Sequence, residues 1–165
     1  MKASWRLPGV RETENLGVLL ARYCPWDEQP RLLYLSGELG AGKSTLAAAL
    51  LQALGVEEAV RSPSYALIET YPTRCGEAVH IDLYRLHGAD ELRQLGLRDY
   101  LNARTLLLVE WPERAGDALP RPDLEVHLQY DPERAASGRQ ASIEAHSLAG
   151  KAWLQSARAG LTGQI

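Results

Sequence analysis

Leu32-Leu33-Tyr34-Leu35-Ser36-Gly37-Glu38-Leu39-Gly40-Ala41-Gly42-Lys43-Ser44-Thr45 is the stretch whose reading decides the fold. Its first five residues are a short apolar run, bounded by turn chemistry at Asp27 to Pro30 on one side and by glycine on the other, as a buried strand is. Residues 37–44 then match G-x-x-x-x-G-K-S/T in full. Beyond the glycines, Leu46, Leu50 and Leu54 recur every fourth residue until Gly55, which suits a helix with a C-terminal glycine cap. Strand, loop and helix follow one another in the order a phosphate-binding loop requires.

Each part of that loop has an electrostatic task. Glycines let backbone N–H groups turn inward around a β-phosphate. The start of the following helix adds its partial positive end, Lys43 reaches β and γ oxygens, and the Ser44 hydroxyl is suited to magnesium. Gly37, Glu38, Leu39, Gly40, Ala41, Gly42, Lys43, Ser44 and Thr45 are therefore read as the ATP-binding stretch, with Mg2+ as the cofactor. The bland reading is an accidental glycine-rich turn with a surface lysine, and the flanking strand and helix weigh against it.

Outward from the loop, ETENLGVLLARYC (12–24) spaces Leu16, Leu19, Leu20 and Tyr23 for an amphipathic helix ended by Pro25. Residues 65–71 and 78–84 read as strands joined through TRCGE as an antiparallel hairpin. Residues 89–101 suggest one or two short helices broken near Gly96, and TLLLVEW from Thr105 is a second buried strand. LEVHLQY and QASIEAH are strand candidates separated by DPERAASGR, and a last helix is expected over 151–159. The alternation predicts an α/β fold like that of P-loop NTPases. Its mixed sheet is mostly parallel with antiparallel additions, with helices on both faces.

At 165 residues the chain is expected to form a single domain, residues 1–165. Hydrophobic residues at 45% and charged residues at 24% fit a globular protein rather than a disordered one. No apolar run is long enough for a membrane span, and Trp5, Arg6 and Pro8 interrupt any signal-peptide core, so a cytoplasmic location is expected. Cys24 and Cys75 lack zinc-site spacing and suggest idle thiols. A net charge of -3 argues against an independent grip on nucleic acid, so any nucleic acid involved would be held by a partner.

A phosphate loop needs an acid at a neighbouring strand end for magnesium and a group that orients water. VHID, ending at Asp82, and LLLVE, ending at Glu110, both run apolar residues into a carboxylate, the second more cleanly. Either acid is also readable as an ordinary surface charge at a strand end. Trp111 either covers the site or plugs the core. His80, His87, His127 and His146 show no ligand spacing and read as structural or exposed residues.

Together GELGAGKST (37–45), SPSYALIETY (62–71), HIDLYRL (80–86), LGLRDYL (95–101) and LVEWPER (108–114) closely resemble the bacterial TsaE family, formerly YjeE. The likeness runs from about Leu7 to the final helix and weakens between Asp131 and Gly138. It implies an ATPase of tRNA threonylcarbamoyladenosine synthesis that works with TsaB and TsaD. TsaD modifies the adenosine beside the anticodon of ANN-reading tRNAs, and tRNA is met only through that complex. The resemblance makes Ser44 and Glu110 magnesium ligands, Asp82 necessary for hydrolysis, and Trp111 important. It also brings Thr13 near the nucleotide and, more loosely, the pair Gly138-Arg139. Where the family has threonine after the loop lysine this chain has Ser44, which keeps the hydroxyl. Its SPSYA keeps a hydroxyl at Ser64 and loses one at Ala66.

Rival readings share the loop. A small-molecule kinase would add an arginine-bearing lid, for which DPERAASGR is a candidate segment, and an acceptor pocket. An assembly module would use ATP binding to build a complex and hydrolysis only to reset it. A GTPase would need an N/T-K-x-D guanine-reading string after a later strand, which is absent.

Overall fold

The computed structural model describes residues 1–60, 63, 67–133 and 138–162. The chain runs β1 (Lys2–Leu7), α1 (Val10–Arg22), β2 (Arg31–Gly37), α2 (Lys43–Ala53), β3 (Ile68–Pro72), β4 (Glu77–Asp82), α3 (Ala89–Gln94) and a 3-10 turn (Leu97–Tyr100). It continues with β5 (Thr105–Glu110), a second 3-10 segment (Pro112–Ala118), β6 (Leu124–Tyr130), β7 (Arg139–Ala145) and α4 (Leu148–Thr162). The strands form one sheet in the order β1-β7-β6-β2-β5-β4-β3. Its centre, β6-β2-β5-β4, is parallel, and β3 on one side and β7 and β1 on the other are added antiparallel.

The two faces explain the apolar runs. Leu33 and Leu35 of β2 and Leu106 and Leu108 of β5 meet Leu16 and Leu20 of α1, Leu46 and Leu50 of α2, and Trp153 of α4. The alternate residues Leu32, Tyr34, Leu107 and Val109 meet Leu92 of α3, Leu97 and Ala115 on the opposite face. A central parallel strand buried on both sides leaves no polar position, so it reads as continuous leucine and valine.

Three details depart from the sequence expectations. β1 was not anticipated: it pairs antiparallel with β7, placing Trp5 opposite Ala141. Its half-buried alternation is weak, and its partner lies at the far end of the chain. β4 stops at Asp82 rather than Tyr84, because the Asp82 carboxylate accepts the Tyr84 N–H at 3.0 Å and turns the chain. α4 starts earlier than expected. Ser147 caps it by accepting the Gly150 N–H at 2.9 Å, and its hydroxyl also donates to Asp123. Tyr65 and Ala66 of the expected hairpin strand, and Ser64, lie outside the described residues.

Both cysteines are free. Burial pushes the Cys24 thiol far above its ordinary range, with Arg31 opposing and Asp123 reinforcing the shift, which suits a packing role.

Candidate nucleotide site

The loop between β2 and α2 is shaped by glycine where no side chain fits. Gly37 has φ +130°, and a Cβ there would lie 1.9 Å from the Leu128 carbonyl oxygen. Gly40 has φ +77°, and its Cβ would lie 2.6 Å from the Tyr130 hydroxyl. α2 opens from Gly42 with no side-chain cap and no acidic residue in its first turn. Its leading N–H groups are thus left without a side-chain cap, as an anion site needs.

Two side chains flank this loop. Thr13 of α1 is buried, and its methyl group lies 3.3 Å from where a Gly42 Cβ would stand. That approach is set by Gly17, whose added Cβ would come within 2.5 Å of the Leu46 carbonyl, so α1 and α2 pack backbone to backbone. On the other side Arg139 donates to the Gly40 carbonyl at 3.2 Å and stacks 4.1 Å from the Tyr130 ring centroid. Tyr130 in turn donates to the Leu39 carbonyl at 3.0 Å. Tyr130 was not singled out from sequence, because its placement depends on the β6–β7 register.

Lys43 is buried. Its ammonium donates to the carbonyls of Gly37 at 2.7 Å and Glu38 at 2.8 Å, and lies 3.6 Å from the Trp111 ring centroid. Burial lowers its pKa, and the negative charges of Glu110, Glu113 and Asp82 work against that shift. Trp111 therefore covers the loop lysine. It also lies along the second-face core and packs on Tyr84 with centroids 5.1 Å apart, so both readings of the indole hold together. Its backbone sits in the left-handed region at φ +60°, rare for a bulky residue, directly after the last residue of β5.

The acids converge from neighbouring strand ends. Asp82 and Glu110 are register partners across β4 and β5, and both are buried. Ser44, at the second position of α2, donates to Glu110 Oε2 at 2.8 Å. The other carboxylate oxygen, Oε1, meets His80 Nε2 at 2.8 Å. By its spacing His80 reads as a structural or exposed residue; it is buried, and strand alternation carries it on the same face as Asp82. The structure thus brings Lys43, Ser44, Asp82, Glu110 and Trp111 around the loop, with Thr13 and Arg139 at its flanks.

A hydroxyl hydrogen-bonded to a buried carboxylate is an oxygen-only donor pair that fits magnesium. Among the described residues no group of three or more His, Cys, Asp or Glu side chains could hold a metal by itself. Magnesium bound here would draw its remaining ligands from nucleotide phosphates and water. A cavity of about 820 Å3 opens beside Gly37, Glu38 and Trp111 but is also lined by Tyr34, Glu125 and His127. It lies on the sheet face away from α2, so it adjoins the phosphate loop without being the phosphate site.

Comparison with known proteins bears on the family and the fold. The family model described as threonylcarbamoyl adenosine biosynthesis protein TsaE matches residues 7–140. The tRNA threonylcarbamoyladenosine biosynthesis protein TsaE of Haemophilus influenzae is 42% identical over 103 residues, covering 62% of this chain and 65% of that protein. The protein of the same name from Bacillus subtilis is 33% identical over 126 residues, 76% of each chain. The crystal structure of Bacillus subtilis YdiB superposes with a TM-score of 0.78 at 23% identity, covering 97% of this chain and 96% of that one, and so shares the fold. On the family match and these identities, the chain belongs to the TsaE family of threonylcarbamoyl adenosine biosynthesis proteins.

Proposed function

We propose that this chain is a magnesium-dependent ATPase, converting ATP to ADP and phosphate, that supports tRNA threonylcarbamoyladenosine synthesis together with TsaB and TsaD in the cytoplasm. The observation that carries the reading is the 2.8 Å contact between Ser44 and Glu110, which ties the start of α2 to the end of β5 inside a complete phosphate loop. Gly37 to Thr45 enclose the phosphates, and Lys43 offers its ammonium to the β and γ oxygens. Thr13 and Arg139 bracket the nucleotide beyond the loop. Ser44 and Glu110 would hold magnesium, which when bound would supply positive charge against the phosphates. Asp82 accepts a hydrogen bond from the attacking water and aims it at the γ-phosphorus; as the water oxygen bonds to that phosphorus the bond to the β–γ bridging oxygen breaks, ADP leaves, and the water's proton departs with the released phosphate or to solvent. Trp111 shields the lysine from solvent and strengthens its field at the phosphates.

A partner is expected to speed this reaction. No arginine of the described residues stands in a finger motif, and Arg139 is engaged with Gly40 and Tyr130. With a net charge of -3, tRNA is reached through the complex rather than by this chain alone. Steady-state phosphate release should therefore be slow for the isolated chain and rise at least tenfold, on the order expected of a completed transition-state site, when TsaB and TsaD are added. A fast rate unchanged by them, or transfer of the γ-phosphate to a small-molecule acceptor, would contradict the proposal and favour the kinase reading. No turnover under any condition, with ATP-dependent assembly of the three proteins, would favour the assembly-module reading. Among the described residues no helix is long and apolar enough to cross a membrane.

A further inference from the structure

His80 and Glu110 are each 1% exposed and meet at 2.8 Å. An ionised glutamate only accepts hydrogen bonds, so Nε2 carries the proton and donates to Oε1. Nδ1 then faces the interior with no partner among the described residues. Leaving one ring nitrogen unsatisfied in a core costs free energy that a leucine in the same strand position would avoid. What the imidazole supplies in return is visible at the other end of the ring. Glu110 is a buried carboxylate with two donors, His80 on Oε1 and Ser44 on Oε2. With Oε1 tied to a buried ring carried on β4, a strand paired on both sides by β3 and β5, the carboxylate is held with Oε2 toward the Ser44 hydroxyl at the start of α2.

We infer that His80 is a positioning residue that, by holding Oε1 of Glu110, aims Oε2 at the Ser44 hydroxyl and thereby sets the affinity of the site for magnesium. The inference rests on the reading of Ser44 and Glu110 as the magnesium pair. Hydrogen-bond partners of metal ligands are worth roughly ten- to hundredfold in metal affinity where they have been removed. His80→Leu removes the donor and fills the space. His80→Gln returns an N–H at nearly the same reach, and His80→Asn keeps a polar group too short to meet Glu110.

The test measures ATP affinity by calorimetry across a Mg2+ series and in EDTA, for the unaltered chain, the three His80 variants and Glu110→Ala, each with a thermal melt. His80→Leu should raise the Mg2+ concentration for half-maximal effect about tenfold or more. It should leave affinity in EDTA unchanged, and His80→Gln should recover most of the loss. If His80→Leu does not fold, His80→Asn supplies the same missing donor. Should Glu110→Ala raise the Mg2+ requirement while neither His80→Leu nor His80→Asn does, the positioning role is wrong and the magnesium reading stands. Equal losses with Mg2+ and in EDTA, without rescue by glutamine, would show a merely structural histidine and also overturn it. A Glu110→Ala chain with normal Mg2+ dependence would instead overturn the magnesium reading, and the inference with it.

Discussion

Asp82→Ala is expected to lower partner-stimulated ATP turnover by roughly a hundredfold or more, about 2.7 kcal/mol of transition-state stabilisation, while leaving ATP affinity within a few-fold. The geometry separates this acid from its neighbour. Glu110 is committed to Ser44 and His80 through both of its oxygens. Asp82 lies one strand away in the same register and is fixed by the Tyr84 N–H through Oδ1. On the proposed reading, a group beside the magnesium pair but outside it serves the water or the outer magnesium shell rather than the ground-state complex. Its loss should therefore appear in kcat and leave KM nearly untouched. Single-turnover hydrolysis beside equilibrium ATP binding checks this. Normal turnover in Asp82→Ala would move the water-orienting role elsewhere.

Lys43→Ala should act on binding instead. On the proposed reading the ammonium would face phosphate oxygens already charged in the ground state, so its removal is expected to cost on the order of 1.5 to 3 kcal/mol, a loss of roughly ten- to a hundred-and-fifty-fold in ATP affinity. Two features of the structure bear on the size. The lysine is buried under Trp111, where a charge acts through less water than at the surface, which pushes the loss upward. Its hydrogens are also shared with the Gly37 and Glu38 carbonyls, with which phosphates must compete, and that pushes the loss down. Titrating ATP against tryptophan emission reads both the affinity and the disturbance of the indole. An unchanged affinity would remove Lys43 from the phosphate site.

Much of this was legible in the residues because it is local. The β2-loop-α2 unit follows from apolar run, glycines and leucine spacing, all within one segment of sequence. Asp82 and Glu110 were found because each ends an apolar run, and a parallel strand that ends in an acid points it at the loops where ligands bind. What was missed depends on contacts distant in sequence. β1 becomes a strand through β7, its register partner near the other end of the chain. Tyr130 reaches Leu39 through the sheet order, which places β6 beside β2. His80 shows no ligand spacing, and its hydrogen bond is with Glu110 on the adjacent strand. Its signal was there in the alternation of His80 with Asp82 on one face, which spacing rules for metal ligands do not consult. Trp111 was left between two roles, and the turn at φ +60° after β5 lets it serve both.

The most direct test of the central claim, that the loop from Gly37 to Thr45 with Ser44 and Glu110 forms a Mg-ATP site, is calorimetric titration of ATP into the purified chain with Mg2+ and again with EDTA. One ATP should bind per chain, with affinity that falls when Mg2+ is removed. An absence of binding at millimolar ATP, or an affinity indifferent to Mg2+, would contradict it.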